Sequence, residues 1–288
     1  MSRSVFFAIL AAALYALNSP LSKLMLQSVP PTMMAGFLYL GAGIGMTALG
    51  LLRKQTGHGK KETQLTRKDL PYTLGMIALD IAAPIFLMIG LSRTTAANAS
   101  LLNNFEIVAT SLIAMMVFKE QIGKRLWIAI GLITLSSILL SIEDASSFHF
   151  SIGSLFVLLA CVCWGMENNC TRKLSKSDPL EIVVIKGFGS GIGSVLIGLA
   201  VGEKLPPMAD ILRILLLGFI AYGLSIYFYV YAQRTLGAAK TSAYYAIAPF
   251  IGVLLSFIIF RDIPGVLFFV ALVIMIAGTW MINRDQKV

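Results

Sequence analysis

Ten apolar runs of about 20 residues divide this sequence, each long enough for a helix rising 1.5 Å per residue to cross roughly 30 Å of hydrocarbon. They fall at 4–26, 32–52, 70–91, 95–117, 123–142, 151–174, 180–201, 209–233, 240–260 and 263–282. The connections are only a few residues long, except the polar, basic segment 53–69, and leave no room for a separate soluble domain. Charged residues make up 13% of the chain, about half the share of an ordinary soluble domain. These features exclude a soluble enzyme, a nucleic-acid binder and a disulfide scaffold, and predict an integral membrane protein. The run at 4–26 reads as a first span rather than a signal peptide, because it is long, contains Asn18 and Pro20, and has a counterpart later in the chain.

The net charge of +9 is a topology signal rather than a binding patch. Lys and Arg in short loops face the cytoplasm. With the N-terminus inside, the inner segments hold 17 basic residues, six of them in the segment 53–69, and the outer segments hold five: Lys23, Arg93, Lys204, Arg213 and Arg261. The segment from Glu143 to His149 has no Lys or Arg and is placed outside. The expected location is the cytoplasmic (inner) membrane, with both termini cytoplasmic. Cys161, Cys163 and Cys170 share one apolar run and read as small buried hydrophobes. His58 and His149 both lie in connections, so no zinc or haem site can be assembled and no metal or cofactor is expected.

The halves resemble each other. Tyr15-Ala16-Leu17-Asn18-Ser19, leading to Lys23, aligns with Trp164-Gly165-Met166-Glu167-Asn168, leading to Arg172. Arg93-Thr94 followed by Ala97-Asn98-Ala99-Ser100 aligns with Arg234-Thr235 followed by Ala239-Lys240-Thr241-Ser242, and Phe118-Lys119-Glu120 with Phe260-Arg261-Asp262. Each half holds five helices, an odd number, so the two are inserted in opposite directions. The expected fold is an all-α membrane protein: ten transmembrane helices as two inverted five-helix repeats, 1–145 and 146–288, around a central cavity. Inverted repeats are a recurring plan of secondary transporters, with the site near the midplane where the repeats meet.

On these residues the chain resembles the drug/metabolite transporter superfamily, of the ten-helix EamA type. The resemblance rests on Tyr15-Ala16 and Trp164-Gly165, the Ala/Ser-rich start of the ninth helix with Pro249, and the paired Phe118-Lys119-Glu120 and Phe260-Arg261-Asp262. It implies transport of amino acids, other small metabolites, nucleotide sugars or drugs. One departure stands out: the first half has Glu106-Ile107 where the family pattern places a proline, as Pro249 does in the second half. The fourth helix is therefore expected to lack that distortion and to gain a carboxylate instead.

Ionisable groups within spans are costly and read as functional by default. Asp80, Glu106 and Glu167 sit near the middle of their helices, whereas Lys186 lies about two turns from a cytoplasmic helix end and is long enough to snorkel. Three acids against one base leave an excess of negative charge, satisfied by protons or by a cationic group of a substrate. Helical spacing groups Tyr15, Asn18 and Ser22; Asn103, Glu106 and Thr110; and Trp164, Glu167 and Thr171. Tyr222, Tyr227, Tyr229 and Tyr231 on the eighth helix, with Tyr244 and Tyr245 on the ninth, read as an aromatic-hydroxyl cluster suited to a cavity. Pro20, Pro84 and Pro249 are expected to mark kinks. The stretches Gly41–Gly45 and Gly187–Gly193 read as close helix packing.

The leading expectation is a secondary transporter or facilitated exporter of small amino-group-bearing metabolites, amino acids first. Its substrate site draws on Tyr15, Asn18, Asn103, Glu106, Trp164, Glu167, Asn168, Tyr227 and Tyr244, with Asp80, Glu106, Glu167 and Lys186 as candidates for proton or charge coupling. The same acids and aromatics suit a lipophilic cation or drug. The third reading, an intramembrane enzyme, needs a nucleophile–base pair, a metal cluster or a phosphate site, and the sequence offers none of these. A receptor or structural bundle would not require inverted repeats. The expected partners are a small-molecule substrate and the lipid bilayer, with no nucleic acid and no obligatory protein partner.

Overall fold

The computed structural model describes residues 3–55, 63–119, 123–144, 149–236, 241 and 244–285. His58, Lys60, Lys61, Glu120, Ala239, Lys240, Ser242 and Lys287, all used in the sequence reading, lie outside these residues. The chain forms helices α1 (Arg3–Ala16), α2 (Asn18–Met25), α3 (Pro31–Gln55), α4 (Leu70–Arg93), α5 (Ala96–Leu102), α6 (Phe105–Phe118) and α7 (Lys124–Ser141). A short antiparallel pairing of Ile142–Asp144 with His149–Phe150 then leads to α8 (Ile152–Leu174), α9 (Pro179–Ala200), α10 (Met208–Gly218) and α11 (Ser225–Leu236). The helices Ala248–Phe260 and Val266–Asp285, here α12 and α13, complete the bundle.

Among the described residues, eight helical segments are long and apolar enough to cross a membrane, and 248–260 and 266–281 form two shorter apolar helices. Four of the runs read from sequence are wound in pieces. Leu17 interrupts α1 and α2, three residues before Pro20. Asn103 and Asn104 separate α5 from α6, Ala246 and Ile247 precede α12, and a π-type turn at Phe219–Leu224 joins α10 to α11. Pro84, by contrast, sits inside the continuous helix α4.

The break at Asn103–Asn104 corrects the expectation that this helix, lacking a proline, stays regular. The Asn104 N–H bonds the Leu101 carbonyl at 3.2 Å, three residues back, and Glu106 and Ile107 bond Asn103 and Asn104 in the same tight register. Asparagine amides compete with the backbone for its own hydrogen bonds, and the Asn104 Nδ2 reaches the Leu101 carbonyl at 3.5 Å. The Cys161 thiol of α8 lies 3.6 Å from the Leu102 carbonyl, which compensates part of the interrupted ladder.

Lipid tails are as apolar as leucine, so helix association depends on close packing of small residues rather than on hydrophobic burial. The two glycine-rich stretches meet here: α3 packs along α9, and a Cβ placed on Gly187 would lie 2.3 Å from the Gly43 backbone nitrogen. On the other side of α3, a Cβ on Gly218 would lie 1.9 Å from the Leu38 carbonyl oxygen. Outward surfaces carry Leu196, Leu212, Ile258 and Val273, each at least 58% exposed, while Asp80, Glu167 and Lys186 are buried. A polar interior under an apolar surface suits lipid, not water.

Because no Cβ fits at Gly187 without moving backbone, Gly187→Ala is expected to destabilise the bundle by about 1–3 kcal/mol. The check is a lowered Tm of the detergent-solubilised protein, against Gly131→Ala, where a Cβ meets nothing within 4 Å.

Candidate functional site

Four helices bring their mid-span polar residues to one point. Lys186 on α9 places its ammonium 3.2 Å from the Asp80 carboxylate on α4 and 2.8 Å from the Glu167 carboxylate on α8. The Tyr39 hydroxyl, from α3, donates to Asp80 Oδ1 at 2.9 Å, and Thr171 Oγ1 donates to Glu167 one helical turn away. Asp80, Glu167 and Lys186 are 0%, 2% and 5% exposed. Lys186 therefore does not snorkel, although its position along the helix allows it. Two buried carboxylates hold it inward, and in a medium of low dielectric that attraction outweighs the solvation available at the interface.

Glu106, at the start of α6, takes a different partner. Asn168 Nδ2 donates to Glu106 Oε1 at 2.6 Å and lies 3.4 Å from Thr110 Oγ1. The next residue, Asn169, donates to the Thr110 carbonyl at 3.3 Å, so the tandem asparagines of α8 lock onto α6. Gly165 permits this approach, since a Cβ there would lie 2.8 Å from the Thr110 nitrogen. Asp80 and Glu167 thus share one lysine, while Glu106 has a neutral amide.

An aromatic wall adjoins the charges. Tyr15 lies edge-on to Trp164 and Tyr222, with ring centroids 6.4 and 5.9 Å away, and 5.8 Å from Tyr245. Tyr39 and Tyr222 rings are 5.0 Å apart. Asn18 Nδ2 donates to the Tyr222 hydroxyl at 3.0 Å, and Ser22 donates to Asn18 at 3.1 Å. Asn103, also buried, lines a small cavity together with Tyr15.

Tyr227 and Tyr244 depart from the sequence reading. The Tyr227 hydroxyl accepts from Arg53 at the end of α3, and Tyr244 is 39% exposed. Tyr222 packs against Tyr15 and Tyr39, while Tyr227, five residues on and so on another face of the helix, packs with Phe228 and Tyr231. Tyr39 was missed by the sequence reading. Its only signal was a hydroxyl-bearing ring midway along an apolar run, and that signal does not tell an inward ring from a lipid-facing one.

A multi-span helical membrane protein with a paired charge cluster at its centre is the class to which membrane transporters belong. The chain belongs to the EamA-like transporter family, of the drug/metabolite transporter superfamily: the family model matches residues 2–142 and 151–284. An uncharacterized transporter of Methanothermobacter thermautotrophicus is 24% identical over 296 residues, covering 97% of this chain and 85% of the relative. The uncharacterized inner membrane transporter YedA of Escherichia coli K12 is 24% identical over 240 residues, covering 80% of this chain and 74% of that protein. A crystal structure described only as that of a protein shares the fold, with a TM-score of 0.70 at 17% identity over 100% of this chain and 98% of the other. The family and these relatives indicate a transporter rather than an enzyme, and with that a small-molecule substrate and a lipid bilayer.

Removing one partner of a buried ion pair costs about 3–5 kcal/mol because it strands the other charge. Lys186→Met is therefore expected to destabilise the protein by an amount in that range, and Asp80→Asn by less, because Lys186 keeps Glu167. The double variant Asp80→Asn/Lys186→Met is expected to recover part of the loss, measured as Tm in detergent.

Proposed function

We propose that this protein is a secondary transporter or facilitated exporter that moves small amino-group-bearing metabolites, amino acids first, across the cytoplasmic membrane by alternating access. The observation that carries this reading is the excess of carboxylate inside the spans: Asp80 and Glu167 share the ammonium of Lys186, and Glu106 is met by the neutral amide of Asn168. A substrate ammonium group fits the remaining demand, and a charged group is the hardest to leave unpaired at membrane depth. In this reading Glu106 and Glu167 receive the ammonium, Asn168 orients Glu106, and Tyr15, Asn18 and Trp164 shape the wall. Asn103 bounds the site on its other side. Asp80 and Lys186 complete the charge-coupling set.

The architecture we propose is ten crossings in two inverted repeats, 1–145 and 146–288, around that site, with both termini cytoplasmic. Several features support it. The family model matches once in each half. The helix packings come in related pairs: α4 on α8 mirrors α11 on α1, and α3 packs on its own counterpart α9. Lys119 and Arg261, at equivalent positions ending α6 and α12, both take left-handed conformations, with φ of 57° and 54°. The excess of basic residues in the inner segments supports the orientation.

Purified protein in liposomes loaded with a mixed amino-acid pool is expected to take up labelled amino acids, tested one by one, with and without a pH gradient. Glu167→Gln and Glu106→Gln are expected to reduce uptake at least tenfold. Normal transport by both variants at every pH would remove these residues from the site. Silence across the amino-acid panel, with uptake of a lipophilic cation instead, would overturn the substrate class.

A further inference from the structure

Three helix breaks converge on one cavity beside the aromatic wall. The cavity, about 10 Å³, is lined by Tyr15, Ala16 and Ser19 at the α1–α2 break, Ser100 and Asn103 at the α5–α6 break, and Ala248, Pro249 and Gly252 at the start of α12. That volume suits one guest the size of a water molecule. Ser100 Oγ and Asn103 Oδ1 are buried there without a hydrogen-bond partner among the described residues, in residues only 3% and 7% exposed. A buried unsatisfied polar atom costs about 1–3 kcal/mol, so two in one cavity point to a ligand rather than to chance.

The backbone adds oxygens to the same place. The Ala16 carbonyl would ordinarily accept from the N–H four residues on, but that residue is Pro20, which has none. The Ser100 carbonyl loses its usual donor, because the Asn104 N–H bonds Leu101 instead. A Cβ on Gly252 would sit 2.8 Å from Ser100 Oγ and 3.4 Å from the Ala16 carbonyl oxygen, so the missing side chain of Gly252 leaves both oxygens facing the same space.

The donor chemistry selects the guest. Neutral hydroxyl, amide and carbonyl oxygens suit a hard cation, and the set holds no thiolate, imidazole or carboxylate of the kind a transition metal takes. Helices α1 and α5 end at the cavity where α2 and α6 begin, so their dipoles largely offset one another and the oxygens decide the charge of the guest. The first turn of α12 borders it too, but Pro249 there presents no N–H. Glu106, one turn beyond Asn103, adds negative charge nearby. We infer that the cavity bounded by Ala16, Ser100, Asn103 and Gly252 binds one sodium ion. Broken helices supply ion sites in this way when unwound carbonyls lie at membrane depth.

The inference extends the transport reading, but its direct test needs no substrate. Purified protein in detergent is incubated with ²²Na⁺, and bound label is counted by scintillation proximity. Saturable binding, displaced by unlabelled Na⁺ and not by choline, is the expected result. Ser100→Ala and Asn103→Ala, each removing one oxygen, are expected to weaken binding about tenfold. Gly252→Ala, which sets a methyl group against the two oxygens, is expected to abolish it. Ser194→Ala is the control, since Ser194 is also buried and unpartnered but lies on α9 outside the cavity, and it is expected to bind as the parent does. Absence of saturable binding by the monodisperse parent protein would assign the cavity to water and overturn the inference. Unchanged binding by both Ser100→Ala and Gly252→Ala would overturn the location. Sodium binding without uptake of any amino acid would keep the ion site and overturn the proposed substrate class instead.

Discussion

The structure turns on one ammonium group held between two carboxylates from different helices. At membrane depth an unpaired charge is costly, so Lys186 on α9, Asp80 on α4 and Glu167 on α8 must stay within contact of one another. This requirement sets the rotation and axial register of three helices at once. Tyr39 extends it to a fourth, α3, by donating to Asp80. Apolar packing alone would leave these registers loosely specified, because one leucine face slides over another at little cost.

Small residues make that arrangement reachable. The glycines of α3 and α9 bring the two backbones together, Gly165 does the same for α6 and α8, and Gly252 opens space where three broken helices meet. Close approach and helix interruption act together here. An interruption releases carbonyls or amides that have to be satisfied, and close packing delivers a partner, as the Cys161 thiol does to the Leu102 carbonyl. Where the delivery is incomplete, at Ser100 and Asn103, the fold leaves neutral oxygens facing a cavity.

The division of carboxylates has a chemical consequence. Asp80 and Glu167 divide the one positive charge of Lys186 between them, whereas Glu106 is held by an amide that can donate but carries no charge. Glu106 is thus the carboxylate with most electrostatic demand left. Tyr15, Tyr222 and Trp164 line the adjoining wall with flat apolar faces, so charge and apolar surface stand side by side.

Much of this was legible in the residues themselves. Apolar runs of span length determine a helical membrane protein, because lipid admits few other ways to satisfy a backbone. Asp80, Glu106, Glu167 and Asn168 stood out because polar groups are expensive in apolar runs, and Gly41–Gly45 and Gly187–Gly193 because small residues permit contact. What only the tertiary structure decided is direction. Helical periodicity groups residues on one face without saying where that face points, so Lys186 read as able to reach an interface until Asp80 and Glu167 were brought to it from other helices. The Asn103–Asn104 break was hidden because proline is the usual signal for one. Composition and spacing are properties of one helix at a time, whereas pairing depends on the rotation of several, and that is set only when they pack.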